Sequence, residues 1–191
     1  MTYSKRTSRL SALALSACAM VVAACTSTVD VHAIKSPSAH FEHYRSVALD
    51  LTTSPPRHYA STPESAIVEK EVGENASAIL QQRGYVLADL ASADLVLRVE
   101  SGRREKKVEV TTAKPTSDLT AVQPEYRGEL DQEERDLVEG SFVIDAFDGK
   151  TRDVVWHGSA HAEVQTGEVD HARLRRAVES VLASFPAVQG R

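Results

Sequence analysis

Two alternating runs on either side of a short polar turn constrain this chain more than any other feature. Residues 138–147 and 154–164 each alternate apolar with polar side chains, and DGKTRD joins them. Successive side chains of a strand point to opposite faces, so each run has one face to bury and one to wet. Asp148-Gly149 opens the turn with residue types that tolerate positive φ. The pair reads as an antiparallel hairpin with a single apolar face.

Two helices are available to cover that face. Thr62-Pro63-Glu64 supplies an N-cap, a proline at the first helical position and an early carboxylate, and Gly84 supplies the stop. Between them Val68, Val72, Ala76, Ile79 and Leu80 recur at helical spacing. The second helix starts near an Asp170 cap, carries Leu174, Val178, Val181, Leu182 and Phe185 on one face, and stops at Pro186. Short strands are expected at 29–34, 45–51 and from Tyr85. Residues 94–100 alternate with Leu95, Leu97 and Val99 on one face, and Val108 and Val110 extend that strand or its hairpin partner. Residues 113–136, with two prolines and many charges, form a long mobile excursion in this reading. The order is β-β-α-β-β-β-β-α without internal repeats. It implies an α+β two-layer sandwich, a mostly antiparallel sheet with two helices packed on one face. Leu95, Leu97, Val99, Phe142, Ile144 and Trp156 form its expected core.

The first 24 residues have a different character. Lys5, Arg6 and Arg9 precede an apolar run from Leu10 to Ala24, the layout of a secretory signal peptide. At about 15 residues and with Ser11 and Ser16 inside it, the run is shorter than the roughly 20 apolar residues that span a bilayer. Val22-Ala23-Ala24-Cys25 is similar to the bacterial lipobox, whose cysteine takes a diacylglycerol thioether and becomes the new N-terminus. Leu15-Ser16-Ala17-Cys18 fits the same pattern, but cutting there would leave an apolar core of only about six residues, below the usual 7 to 15. Cys25 is therefore the expected lipid attachment site, and 25–191 a single periplasmic domain. No cysteine follows residue 25, so the mature chain has no disulfide to form.

Charge narrows the partners. The chain carries 22 Lys plus Arg against 27 Asp plus Glu, a net charge of −5, and loss of the three basic leader residues makes it more acidic still. That argues against nucleic acid as a partner. Membrane attachment would come from the lipid instead, palmitate or another acyl chain.

The segments HFEHYRSVALDL, QQRGYVLADLASADLVLRVE and EGSFVIDAFDGKTRDVVWHGSAHAEV, ahead of a helix ending in Phe185-Pro186, resemble the bacterial lipoproteins grouped as domain of unknown function 4136. The most specific stretch runs from Gly140 to Gly158, with Ile-Asp before the turn and Trp-x-Gly after it. His40 stands where the family more usually has an acidic residue. The resemblance implies an envelope location and an α/β fold, and it carries no catalytic residues. Thr26 after the lipid cysteine, in place of the Asp that retains such proteins in the inner membrane, implies the periplasmic face of a Gram-negative outer membrane.

Individual chemical candidates have ordinary explanations. Gly149-Lys150-Thr151 lacks the earlier glycine and the following helix of a P-loop. His157 and His161 on one strand lie about 13 Å apart, too far to share an ion; His161 with Glu163 could share a metal, with an exposed polar strand face as the ordinary account. His40 and His43 flank a buried Phe41 or Tyr44. Asp145, Asp148 and Glu139 could be acid/base carboxylates, but strand alternation and the turn explain the first two. Arg103, Arg104, Lys106 and Lys107 read as a charged edge that discourages aggregation, with a grip on phosphate or lipopolysaccharide as the other possibility. Trp156 reads as a core anchor, with a ligand platform as its alternative. No catalytic residue, cofactor or metal is assigned. The expected function is a non-enzymatic binding or scaffolding module of the cell envelope, with an unspecified envelope protein or ligand as partner. The alternative is an envelope hydrolase or metal-dependent enzyme, which a pocket bringing His161, Glu163 or Asp145 into mutual contact would favour.

Overall fold

The computed structural model describes residues 28–51, 54–113 and 130–188; the leader and Cys25 lie outside the described residues. The elements are β1 (Asp30–Lys35), a 3-10 turn (Phe41–His43), β2 (Ser46–Asp50), α1 (Ser65–Gln82), β3 (Val86–Leu87), β4 (Leu95–Ala113), β5 (Leu130–Asp148), β6 (Val154–Glu163) and α2 (His171–Leu182). They form one six-stranded sheet in the order β1-β6-β5-β4-β2-β3. The fold is α+β, with the expected element order.

The β5–β6 hairpin is present and lies inside the sheet, with β1 antiparallel to β6 on one side and β4 antiparallel to β5 on the other. The sheet is mixed, because β2 runs parallel to both β3 and β4. That follows from chain order: α1 comes between β2 and these strands, and a helical crossover returns the chain in the direction it left. The positive φ expected at Asp148-Gly149 falls instead on Arg152, at 65°. Gly149 is required for a different reason, since a Cβ there would sit 2.0 Å from the Ala93 carbonyl oxygen. Asp148 organises the turn by accepting from the Lys150 and Thr151 amides at 2.8 and 2.9 Å.

Both helices cover the same face. Leu95, Leu97, Val99, Ile144 and Trp156 are almost wholly buried, as are Val72, Leu80, Val178, Val181 and Leu182 above them, and Phe142 is 4 % exposed. The Trp-x-Gly motif acquires a packing reason here. Residues two apart share a strand face, and the Trp156 indole lies along its strand over Gly158, where a Cβ would meet the ring at 2.2 Å and Val181 at 2.6 Å. Phe185, just past α2, is the hub of the aromatic cluster, edge-on to Trp156, Phe41 and Tyr85 at 5.1 to 5.8 Å.

Caps and boundaries differ in detail. Asp170 caps α2 as expected, accepting from the Arg173 amide at 2.9 Å, and Gly84 turns the chain out of α1 at φ 93°. Thr62 does not cap α1. The helix starts at Ser65, whose hydroxyl accepts from the Thr62 amide at 3.0 Å. The largest difference is in β4 and β5, which are 19 residues each and pair without interruption from Leu95↔Asp148 to Ala113↔Leu130. Residues 130–136, assigned above to the excursion, are strand; 114–129 lie outside the described residues. LDQEERD is polar at nearly every position, so it has no alternation from which a strand could be read.

Candidate functional site

At one end of the sandwich β1 begins, β6 ends and both helices start. The helices stop short of the sheet there, leaving a groove of about 440 Å³. Val29, Val68, Phe142, Ala160, Leu174 and Ala177 make its apolar wall, and Glu64, Ser65, Arg103, Asp170 and Arg173 its polar rim. The rim is fixed by pairing. Arg103 meets the Glu64 carboxylate at 3.4 Å and donates to the Glu168 carbonyl at 3.2 Å; hydrogen bonding from Thr62 and the nearby Arg103 charge hold Glu64 below the usual carboxylate range. Arg173 donates to the Glu163 carbonyl at 2.7 Å.

Behind the groove Glu69 is only 3 % exposed. It reaches down from α1 to accept from the Ser101 amide at 3.2 Å, a donor that β2 leaves unpaired by ending opposite Arg98. Burial pushes the Glu69 carboxyl above its ordinary value, against the Ser101 hydrogen bonds. The Ser101 hydroxyl lies 3.1 Å from the Ser65 carbonyl.

A second cluster lies on the opposite sheet face. The segment before α1 crosses β4 at Gly102, with Ala60 and Arg103 exchanging backbone hydrogen bonds of 2.8 and 2.9 Å. A Cβ on Gly102 would sit 2.8 Å from Tyr59 Cβ. Tyr59 thereby lies across the sheet, its hydroxyl donating to Glu139 and 3.0 Å from His161 Nδ1, with the Arg104 guanidinium 4.9 Å from the ring centroid. A hydroxyl has one proton. Since Glu139 takes it, His161 satisfies the contact by donating Nδ1–H. Burial, reinforced by Glu139, pushes the Tyr59 phenol up to about 12. Burial alone would raise Glu139, but hydrogen bonds from Tyr59 and Arg104 bring it below the usual range.

The remaining sequence candidates fall into separate structural roles. Asp145 and His157 face each other across β5 and β6 and pair at 2.6 Å, four residues along β6 from His161. The structure brings His161 to Tyr59 and Glu139, and does not bring His161, Glu163 and Asp145 together. Among the described residues no three His, Cys, Asp or Glu converge as metal ligands. Asp148 accepts from Tyr44 at 2.8 Å besides its turn amides, and the Thr151 amide leads the interactions that hold it low. His40 pairs with Glu42 at 2.9 Å on the surface, over the buried Phe41 and Tyr44. The basic run is split between faces and matched by carboxylates: Arg103 to Glu64, Arg104 to Glu139 at 2.8 Å, and Lys106 to Glu139 at 3.8 Å. Trp156 is 1 % exposed and part of the core.

Sequence reasoning missed Tyr59 and the groove. Tyr59 sits in a loop without periodicity, and its one available signal was Gly102, a glycine inside an alternating strand that marks close backbone approach. The groove leaves no local pattern because its walls come from both helices and three strands.

The family described as Domain of unknown function (DUF4136) matches residues 31–187, and the chain belongs to it. A comparison with curated proteins finds no match. Among solved structures, a PDZ domain protein from Parabacteroides distasonis is 12% identical with a TM-score of 0.52, over 85% of this chain and 37% of that one. The chain thus spans well under half of that protein. A DUF4136 family protein from Bacteroides thetaiotaomicron is 17% identical, TM-score 0.43, over 81% and 94% of the two chains. The PelC dodecamer from Paraburkholderia phytofirmans is 14% identical, TM-score 0.49, over 85% and 100%. At such identities only the first likeness bears on the present chain, and it bears on the fold alone.

Proposed function

We propose that this member of the DUF4136 family is a lipoprotein anchored through Cys25 to the periplasmic face of the Gram-negative outer membrane, where it acts as a non-enzymatic binding or scaffolding module. The observation that carries the proposal is the Val22-Ala23-Ala24-Cys25 sequence at the end of a basic-then-apolar leader. One acyl chain contributes about 0.8 kcal/mol per buried CH₂ and holds reversibly, while two or more give stable anchoring.

Geometry supports the binding part. Val29 forms part of the groove wall and stands four residues after Cys25, a tether of at most about 14 Å. An anchor at Cys25 would therefore hold the groove mouth close to the bilayer surface. A wall of apolar side chains with an ion-paired rim fits an amphipathic ligand or an apolar segment of another envelope protein.

Metabolic labelling with a fatty-acid analogue, followed by membrane fractionation, tests the anchor. Cys25→Ala should abolish the label and release or leave uncleaved the precursor, while Cys18→Ala should change nothing. Label retained in Cys25→Ala but lost in Cys18→Ala would move the anchor, and label retained in both would end the lipoprotein reading. Cross-linking in intact envelopes from the groove wall, at Leu174 or Val68, tests the binding module; adducts formed only from positions outside the groove would refute it.

A further inference from the structure

The β4–β5 ladder continues well past the sandwich. On the β5 side β6 ends with Glu163 opposite Glu139, and on the β4 side the last partner is Ala60, bridged to Arg103. Beyond these points Lys106 to Ala113 and Leu130 to Leu137 form a two-stranded ribbon about 26 Å long, with no other strand beside it among the described residues. Arg104 to Lys107, Glu109, Arg135 and Asp136 are exposed. A two-stranded ribbon alone in water is marginally stable, and bare strand edges invite pairing.

Direction and charge narrow the pairing. Arg103 uses both its N–H and its C=O to bond Ala60, so the outward-pointing backbone groups of β4 belong to odd-numbered residues, alternating along the strand. Two β4 edges meeting antiparallel across a two-fold axis must then pair odd with odd. An axis at Val108 does this. It sets Lys107 against Glu109 of the second copy and Glu109 against its Lys107, with Val108 facing Val108. No like charges oppose one another in this register. An axis at Lys107 or Glu109 would oppose identical charges, and an axis at Lys106 would oppose two lysines. The β5 edge is self-repelling by comparison, because Asp131 to Asp136 contains four carboxylates and one arginine. In the Val108 register the two sandwiches lie at opposite ends of the paired ribbons, so they do not collide.

We propose that the free β4 edge is a self-association site, at which two copies of this chain pair their ribbons antiparallel about Val108 into a four-stranded β5-β4-β4-β5 sheet. The two-fold axis passes through a pair without mutual backbone hydrogen bonds, where Cα atoms approach to about 4.5 Å, within disulfide range.

The test uses the full chain in mild detergent, with Cys18→Ser and Cys25→Ser so that an introduced cysteine is the only thiol. Under mild oxidation Val108→Cys should give a disulfide-linked dimer. Arg104→Cys should not, since the two thiols would lie about 27 Å apart in this register. In light scattering, Glu109→Lys should weaken the dimer by about tenfold, through two new like-charge pairs, and Lys107→Glu combined with Glu109→Lys should restore it. A monomer at all concentrations, cross-linking at 104 but not at 108, or a dimer indifferent to the charge swaps would each overturn the proposal.

Discussion

β4 and β5 are two strands in one unbroken register, yet their two halves live under different physics. From Leu95↔Asp148 to Ser101↔Phe142 the ladder lies beneath both helices, and Leu95, Leu97, Val99 and Ile144 are fully buried. From Arg104 onward the same ladder carries charged side chains into water. Backbone hydrogen bonds are the same in kind in both halves, and each contributes a net of only about 1 kcal/mol. What separates them is apolar area removed from water, at about 25 cal/mol per Å². The lesson is that pairing sets the path of these strands, while cover by helices sets where they are stable.

Substitutions placed along the ladder can break this contrast. Trp156→Ala, in the covered half, should cost about 3 to 5 kcal/mol in chemical denaturation, because the indole fills the space beside Gly158 and Phe185; a cost below about 1 kcal/mol would mean that the covered half does not carry the stability. At the boundary, Gly102→Val would drive a side chain into Tyr59 and Ala60. Its expected cost is about 1 to 3 kcal/mol, with loss of the Tyr59–Glu139 hydrogen bond readable as a fall in the phenol pKa from about 12.

Glu69 sharpens the boundary through pH. Burial raises its folded pKa above the ordinary 4.5, so the folded state binds this proton more tightly than the unfolded state. The corresponding stability is fully present below the unfolded pKa and is lost as pH rises through the raised folded value. Glu69→Gln, which keeps an acceptor for the Ser101 amide, should be more stable than the parent at neutral pH and lose that advantage in acid. Denaturation midpoints at pH 4 and pH 7 measure it, and an unchanged difference between the two chains would remove Glu69 from the account. The smallest effect belongs to the ribbon. Lys106→Ala should change stability by no more than about 0.5 kcal/mol, as its ion pair with Glu139 is long and half exposed. Amide exchange at Leu97 and Val99 should be slower than at Lys106, and equal protection would erase the contrast.

Much of the covered half could be read from the chain alone. Leu95, Leu97 and Val99 declared their face by alternation, the α1 and α2 stripes by helical spacing, and Asp170 and Gly84 by cap and stop chemistry, because each of these signals is local. The ribbon was half visible: Val108 and Val110 suggested that β4 runs on, but its partner at 130–136 is polar at every position after Leu130 and left no alternation to count. Of the polar groups, Asp148 was assigned its turn role from sequence. The Tyr59–Glu139–His161 cluster was not, although Glu139 and His161 had each been considered separately.

The sequence by itself determined which faces are apolar and the order and type of the elements. Only the tertiary structure decided that β2 lies parallel to β4, that Glu69 supplies the partner missing at Ser101, that Tyr59 rests on Gly102, and that two helix starts and a sheet end enclose a groove. The first group depends on interactions between residues a few positions apart, where side-chain period and backbone preference act within one element. The second depends on groups 32 to 102 positions apart in the chain, whose meeting is fixed by how the covered faces pack.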